Sequence, residues 1–558
     1  MEVELTLLTL SLLFFLSIFT DKIGYKFGVP ALLLFLGVGM LFGPDGIGRF
    51  FEGTNETMSA DTAQGISTIA LCIILFSGGM GTKISEIRPV LAPGIMLATI
   101  GVLLTALITG VIIYYVFGAV EALHTMSFSM ALLIAATMSS TDSASVFSIL
   151  RTNGIGLKHN LRPLLELESG ANDPMAYILT TTMIGIVIAP NQEVSGLEIM
   201  QSIVIQLIMG AVIGFLFGKG LIELMRRVRL SNESLYPIMV LTACIFIFSA
   251  TYFMKGNPYL AVYVGGVIIG NSKFTRKHHT KQFFDGLTWL SQLVMFLMLG
   301  MMVRPSEMLN WQTLLVCLII SIIMIFISRP LSVFISMFPF KEYDRKDKLF
   351  VSWVGLKGAV PIIFAIMCKA QGVERADVIF NVIFLCTLVS LLTQGSSLSS
   401  MAEKLQLAIP QPKLKRLEHF DLDLPEEIES SATELEITEE MLAGGRMLRN
   451  ISMPGQTLVI LVRRGEDFFV PTGTSELEVG DQLLIITDDD AALANRYRAE
   501  EAEQEGKEWR MQLINHTKDF IKTNWKKISE NKNEKNNLSD RSDRRDGARR
   551  DDGTAEVS

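Results

Sequence analysis

The sequence predicts an all-α polytopic membrane protein with about 13 transmembrane helices, followed by a small α+β domain and a charged tail. Three observations favour this class. Hydrophobic residues make up 49% of the 558 residues, charged residues only 19%, and the mean hydropathy is positive. The apolar residues lie mainly before about residue 400, in runs long enough to cross a bilayer. After about residue 405, short β-branched and aromatic stretches replace these runs.

Thirteen apolar runs are predicted to be membrane helices, because about 17 to 25 such residues span a bilayer. They lie near residues 3–20, 28–43, 66–82, 90–117, 126–150, 163–189, 199–224, 236–254, 258–271, 284–303, 311–339, 350–368 and 377–400. Glu2 and Glu4 stand where a signal peptide would carry basic residues. We therefore expect the first run to be a membrane helix and not a cleaved signal.

The loops between these runs predict the orientation of the chain, because lysine and arginine gather on the cytoplasmic side of a membrane protein. With the N-terminus outside, eighteen lysines and arginines fall in inner loops. The outer loops hold only five, namely Arg49, Lys255, Arg304, Lys369 and Arg375. This predicts a multi-pass protein with the N-terminus outside and the C-terminus in the cytoplasm. The expected location is the inner membrane of a bacterium.

The cysteines and the net charge exclude several kinds of site. The five cysteines all lie in apolar runs without C-x-x-C spacing and without nearby histidines, so we expect neither a disulfide frame nor a metal site at the cysteines. No cofactor is expected. The net charge of −8 comes largely from the region after residue 410 and does not indicate a nucleic-acid partner.

Five ionisable residues lie in or beside the predicted spans: Asp142, Glu168, Asp173, Arg329 and Lys357. Each would cost about 2.5 to 3.5 kcal/mol at the centre of a lipid-exposed helix. We therefore expect these side chains to face one another or water.

Two of these residues mark predicted breaks in membrane helices. Asp142 lies in a cluster of serine and threonine residues, which can satisfy backbone groups where a helix unwinds. Lys357 lies beside Gly358 and just before Pro361, which weaken a helix. The plainer alternatives are a hydroxyl-lined helix contact at Asp142 and a flexible helix end with a snorkelling Lys357. The two breaks fall in spans five and twelve, as inverted repeats of spans 1–6 and 8–13 with two crossing helices require.

A third polar stretch, Leu164 to Pro190, begins with glutamates and continues as an apolar run. On a helix, Glu168 and Asn172 share a face, as do Ser169 and Asp173. The alternative is that Pro174 marks an ordinary N-terminal turn at the membrane interface.

Four motifs together resemble the cation:proton antiporter-1 family, the sodium or potassium/proton exchangers. "ESGANDP" is similar to the family's E-S-x-x-N-D signature, and "STDSASV" to its broken helix T-D-P-V-A-V. "WVGLKGAVPI" resembles its G-L-R-G-A-V segment and "SRPLSV" its Arg-Pro helix. The match covers about the first 400 residues. The chain departs from the family at Ser143, where proline is usual, and at Lys357, where arginine is usual.

The resemblance implies a role for each residue at the site. Asp173 would hold a proton or a monovalent cation in turn, and Thr141, Asp142 and Ser169 would complete the coordination. Asn172 would stand where electrogenic relatives carry a second aspartate. Glu168 and Arg329 would form a structural ion pair. Lys357 and Gly358 would belong to the second broken helix.

Three regions are predicted: a membrane domain over residues 1–404, a cytoplasmic domain over 405–497 and a largely disordered tail over 498–558. "LVRRGEDFFVPTGTSELEVGDQLLII" resembles the TrkA-C half of regulator-of-potassium-conductance domains. This resemblance implies a homodimer, an unnamed small-molecule or nucleotide regulator, and potassium by association.

The resemblance as a whole implies a secondary active antiporter, and not an enzyme, that works by alternating access in membrane lipid. It would exchange potassium for protons electroneutrally. Sodium is the alternative cation. A ligand-gated cation channel is a weaker alternative, because a T-V-G-Y-G filter is absent. An intramembrane aspartyl protease is weaker still, because the spans contain no G-x-G-D.

Overall fold

A computed structural model describes residues 4, 8, 11–19, 31–46, 59–118, 126–152, 155–190, 195–228, 230–274, 276–308, 311–410, 432–437, 442, 445–451, 457–465 and 467–487. The chain divides into two compact units, Met1–Gln411 and Pro412–Ser558. The predicted tail, residues 498–558, lies outside the described residues.

The first unit is helical, with breaks where the sequence predicts them. Residues 11–19 form α1. The following helices are α2 Ala31–Leu41, α3 Ala60–Gly81, α4 Ile84–Gly118, α5 Phe128–Thr137, α6 Ser143–Thr152, α7 Leu161–Ile188, α8 Gly196–Arg227, α9 Leu235–Phe253, α10 Pro258–Gly270, α11 Lys277–Met301, α12 Trp311–Ser336, α13 Arg345–Trp353, α14 Val360–Ala370 and α15 Ala376–Lys404. One further turn of helix covers Pro305–Met308.

The predicted membrane class is confirmed. Among the described residues, seven helices are long and apolar enough to cross a bilayer: α3, α4, α8, α9, α11, α12 and α15. Four shorter apolar helices are α2, α5, α10 and α14. Spans five and twelve are each divided into two half-helices, α5 with α6 and α13 with α14.

The helices of the first unit pack in two groups. The first group consists of α2, α3, α8, α9, α10 and α11, and the second of α4, α5, α7, α12, α14 and α15. Helix α14 also packs against α3 of the first group. Small residues allow the closest crossings. A side chain at Gly79 on α3 or at Gly266 on α10 would collide with the backbone of the other helix, so glycine is required at this contact.

Three of the long helices contain a π-helical turn, which the sequence analysis did not predict. The turns are Leu97–Gly101 in α4, Met324–Ser328 in α12 and Leu391–Gly395 in α15. A π turn inserts one residue into a helix and rotates the side chains that follow it. The turn in α12 immediately precedes Arg329, and the turn in α15 follows Ser390.

The last element of the first unit belongs to a two-stranded antiparallel sheet. Strand β1, Ile155–Leu157, pairs with β2, Ala408–Pro410. This pairing joins residues 155–157 to residues 408–410 within the first unit.

The described part of the second unit is a four-stranded antiparallel sheet in the order β3–β6–β4–β5. The strands are β3 Ala432–Glu436, β4 Thr457–Arg464, β5 Asp467–Phe469 and β6 Gln482–Thr487. Arg464 contacts Asp481 at 2.7 Å. Burial is the largest single influence and favours the protonated acid. The hydrogen bonds from Arg464 and from the Glu478 backbone, together with the positive charge of Arg464, outweigh burial and hold the pKa of Asp481 below its usual range.

Candidate functional site

The two broken spans meet at their unwound segments. The backbone N–H of Asp142 donates to the carbonyl of Leu356 at 2.8 Å. In the opposite direction, Lys357 Nζ donates to the carbonyl of Ser140 at 2.9 Å. Backbone groups freed by each break are therefore satisfied by the other break, as buried polar groups in a membrane must be. The side chain of Lys357 is buried at this crossing and does not extend to the membrane surface, which excludes the snorkelling alternative.

Asp142 stabilises the start of α6. Its Oδ1 accepts a hydrogen bond from the backbone N–H of Ser145 at 3.1 Å, and its Oδ2 accepts from the Ser145 hydroxyl at 2.5 Å. This is the geometry of a helix N-cap. The Asp142 side chain also occupies the space next to Gly358, where any side chain would collide with it. Asp142 and Gly358 therefore hold the two breaks close together.

Asp173 lies on α7, is buried, and faces the first break. The hydroxyl of Ser140 donates a hydrogen bond to Asp173 Oδ1. Ser140 was not among the predicted site residues. The signal that could have identified it is the run of hydroxyl residues directly before Asp142.

Glu168 lies one turn before Asn172 on α7 and forms a buried ion pair with Arg329. Arg329 Nη2 contacts Glu168 Oε1 at 2.8 Å, and both side chains are 3% exposed. Thr141 Oγ1 donates to the same carboxylate at 3.3 Å, and Asn172 Nδ2 donates to it at 3.2 Å. The structure thus brings together the two residues that the resemblance pairs, and it surrounds the glutamate with hydrogen-bond donors.

Asn172 and Ser169 both contact Thr141 from α7. Asn172 Nδ2 donates to Thr141 Oγ1, and the Ser169 hydroxyl donates to the Thr141 carbonyl at 2.9 Å. Asn172 Oδ1 is buried and has no hydrogen-bond partner among the described residues. An unpaired buried oxygen is costly unless a ligand or water satisfies it. Carboxylate, hydroxyl and amide oxygens, such as those of Asp173, Ser140 and Asn172, are the types of ligand that hard cations prefer.

Pro174 lies inside α7 and does not begin a helix. The helix runs without a break from Leu161 to Ile188, so the reading of "NDP" as an N-terminal turn is wrong. Asn257, the N-cap of α10, donates through Nδ2 to the Pro174 carbonyl at 2.7 Å. The neighbouring helix thus supplies a polar contact at the turn that carries Asp173.

Comparison with protein families agrees with this geometry. The model of the sodium/hydrogen exchanger transmembrane domain matches residues 10–404. The chain belongs to the sodium/hydrogen exchanger family. The resemblance inferred from the four motifs is therefore confirmed. The TrkA-C domain model matches residues 433–496 of this exchanger, which confirms the second resemblance.

Individual relatives show the same relationship. The exchanger is 41% identical over 411 residues to the K(+)/H(+) antiporter NhaP of Alkalimonas amylolytica, covering 73% of this chain and 68% of that protein. It is 36% identical over 477 residues to the K(+)/H(+) antiporter NhaP2 of Shewanella sp. strain ANA-3, and the match covers 85% of this chain and 80% of that protein. The Na(+)/H(+) antiporter NhaH of Halobacillus aidingensis is 27% identical over 326 residues, and the match covers 56% of this chain and 76% of that protein.

A solved structure shares the fold of the exchanger. The sodium proton antiporter MjNhaP1 from Methanocaldococcus jannaschii superposes with a TM-score of 0.60 at 23% identity, covering 73% of this chain and 99% of that one. At this identity the likeness concerns the fold alone.

Proposed function

We propose that this exchanger moves potassium in exchange for protons across the cytoplasmic membrane, with Asp173 as the residue that binds either ion. The observation that carries the proposal is the buried Asp173 carboxylate, which faces the Ser140 hydroxyl beside an unpaired amide oxygen of Asn172. The names of the relatives that cover most of this chain favour potassium. The name of the more distant NhaH favours sodium as the second candidate.

The coupling follows from the cost of moving a bare charge. A carboxylate in a low-dielectric pocket must be neutralised before it crosses the membrane. The site therefore changes the side to which it opens only when Asp173 is protonated or holds a cation. The two ions consequently move in opposite directions. Thr141, Asp142 and Ser169 hold the pocket in place, and Asn172 contributes an oxygen without a charge.

Two features of the whole protein complete the proposal. The loop charges support an N-terminus outside and a C-terminus in the cytoplasm. The TrkA-C match supports a homodimer whose cytoplasmic domains bind a small molecule that regulates exchange.

Replacing Asp173 tests the assignment of the binding residue. Asp173→Asn should abolish exchange and leave the fold intact, because asparagine can neither release a proton nor balance the charge of a cation. Dequenching of a pH-sensitive dye in proteoliposomes, on adding potassium or sodium chloride, measures both the activity and the preferred cation. Glu166→Gln is the control, because this carboxylate pairs with Arg162 at 3.0 Å on the more exposed part of α7 and should not affect exchange. Residual cation-driven proton movement in Asp173→Asn would contradict the proposal.

Replacing Asn172 tests the charge balance of the cycle. If one proton exchanges for one cation, the parent protein should produce no net current on a solid-supported membrane. Asn172→Asp adds a second carboxylate and should produce a current, because each cycle can then carry an additional charge. Asn172→Ser remains neutral and should give no current at whatever activity it retains. An active Asn172→Asp without a current would contradict this explanation of electroneutrality.

A further inference from the structure

The break after α13 removes one particular backbone hydrogen bond. In a continuous α-helix, the N–H of Lys357 would donate to the carbonyl of Trp353 four residues earlier. Here α13 ends at Trp353 and residues 354–359 are not helical, so this bond is absent. Both groups lie within the protein, where an unsatisfied polar group costs free energy.

Two side chains of α15 replace the missing bond. The N–H of Lys357 donates to Ser390 Oγ at 3.0 Å, and the Ser390 hydroxyl donates to Gln394 Oε1 at 2.5 Å. Gln394 Nε2 then donates to the Trp353 carbonyl at 2.8 Å. The donor and the acceptor of the lost backbone bond are thus connected through three side-chain hydrogen bonds, which we call the Ser390–Gln394 relay.

The residue types match this arrangement. A hydroxyl can accept one hydrogen bond while it donates another, and a carboxamide has an acceptor and a donor on adjacent atoms. Ser390 and Gln394 are 0% and 1% exposed, so water does not replace these contacts. They are four residues apart on α15, and the π turn Leu391–Gly395 begins directly after Ser390. The relay therefore combines a serine, a glutamine and a local change of helix geometry at one place.

The relay leads directly to the exchange site. Its first group is the backbone of Lys357, whose Nζ donates to the Ser140 carbonyl at 2.9 Å. The hydroxyl of Ser140 in turn donates to Asp173. The position of the second break thus determines where the Lys357 ammonium holds the first break, and so where the Ser140 hydroxyl meets the carboxylate.

We propose that Ser390 and Gln394 are positioning residues for ion exchange. They hold the backbone of the second break in one position relative to α15, and through Lys357 they keep the Ser140 hydroxyl in contact with Asp173. This inference rests on the proposed role of Asp173. A purely structural role would require only that the buried groups are paired. A positioning role requires in addition that loss of the relay changes how tightly the cation binds.

The test measures exchange and stability of relay variants in the full-length protein. Gln394→Leu and Ser390→Ala each interrupt the relay. Each should raise the KM for potassium, or for sodium if that is the preferred cation, by roughly fivefold, the factor expected for one hydrogen bond of average strength. The double variant should be little worse than either single variant, because both changes break the same connection. Ser390→Thr keeps the hydroxyl and should restore a KM close to that of the parent.

Thr393→Ala is the matched control, because this exposed hydroxyl on the same helix donates to the Val389 carbonyl at 2.7 Å. It should leave the KM unchanged. Relay variants that fold and have the parental KM would overturn the inference, even if their Tm is lower. If Gln394→Leu does not fold, Ser390→Ala and Ser390→Thr decide the question by the same measurement. Activity that survives in Asp173→Asn would refute the proposed site instead, so the two failures are distinguishable.

Discussion

At the scale of single residues, the ion pair of Glu168 and Arg329 is only partly compensated. Arg329 contacts the carboxylate through Nη2, but its Nε and Nη1 have no hydrogen-bond partner within the described ranges. Gly355 leaves room for the guanidinium, because a Cβ there would lie 2.8 Å from Arg329 Nε. A buried pair of this kind adds little net stability while intact, but removing one partner leaves a buried charge unpaired.

Removal of Arg329 should therefore be strongly destabilising. Arg329→Ala leaves the Glu168 carboxylate buried without its cation, and we expect the free energy of unfolding to fall by about 3 to 5 kcal/mol. Denaturant titration of the purified protein in detergent measures this loss. Arg329→Ala combined with Glu168→Gln should recover part of it, because the unpaired charge is then gone.

The surface pair of Arg162 and Glu166 on α7 supplies the control for this experiment. Its two side chains are 46% and 24% exposed. Arg162→Ala should change the stability by no more than about 1 kcal/mol, as is usual for solvated pairs. If Arg329→Ala were as stable as the parent, the buried pair would not have the structural role assigned to it.

At the scale of helices, the sequence predicts both broken spans, because the signals are local. The sequence alone shows the cluster of hydroxyl residues around Asp142. It also shows the two glycines and the proline around Lys357. The crossing of the two breaks could also be expected, because each carries an ionisable residue that lipid would not tolerate. The hydrogen bonds at the crossing agree with this expectation.

The partners of these breaks could not be predicted in the same way. Ser390 and Gln394 lie more than thirty residues after Lys357, and no local pattern indicates which face of α15 meets the break. The π turn that follows Ser390 and contains Gln394 has no sequence signature of its own. The contact of Ser140 with Asp173 depends equally on how two separate helices are packed.

Pro174 shows how tertiary contacts override a local rule. Proline usually begins a helix or ends the preceding one, because it lacks an N–H and collides with the previous turn. In α7 it is tolerated in the interior, since neighbouring helices satisfy backbone groups in membrane proteins. The carbonyl that loses its helical donor at Pro174 is that of Gly170, and Asn257 adds a separate hydrogen bond to the carbonyl of Pro174 itself at 2.7 Å. The sequence shows that Asn257 and Pro174 are both present, but it does not predict that they lie in contact.

At the scale of the whole molecule, the orientation in the membrane can be tested with two matched substitutions. Ser231 lies in the loop between α8 and α9, and Ser306 lies in the turn of helix between α11 and α12; both are exposed. All five native cysteines are buried, so a cysteine introduced at either place should be the main site of labelling. The loop charges assign Ser231 to the cytoplasmic side and Ser306 to the outside.

A membrane-impermeant maleimide should therefore label Ser306→Cys in intact cells, whereas Ser231→Cys should react only after the cells are permeabilised. Both substitutions replace one hydroxyl by a thiol of similar size at an exposed position, so neither should affect folding or exchange. The parent protein, with its buried thiols, provides the background signal. The predicted difference has a physical origin, because translocating a basic loop such as the one that follows Arg226 and Arg227 is unfavourable. Labelling in the opposite order would place the TrkA-C domain outside the cell, where it could not respond to a cytoplasmic ligand, and would contradict the proposed regulation together with the orientation.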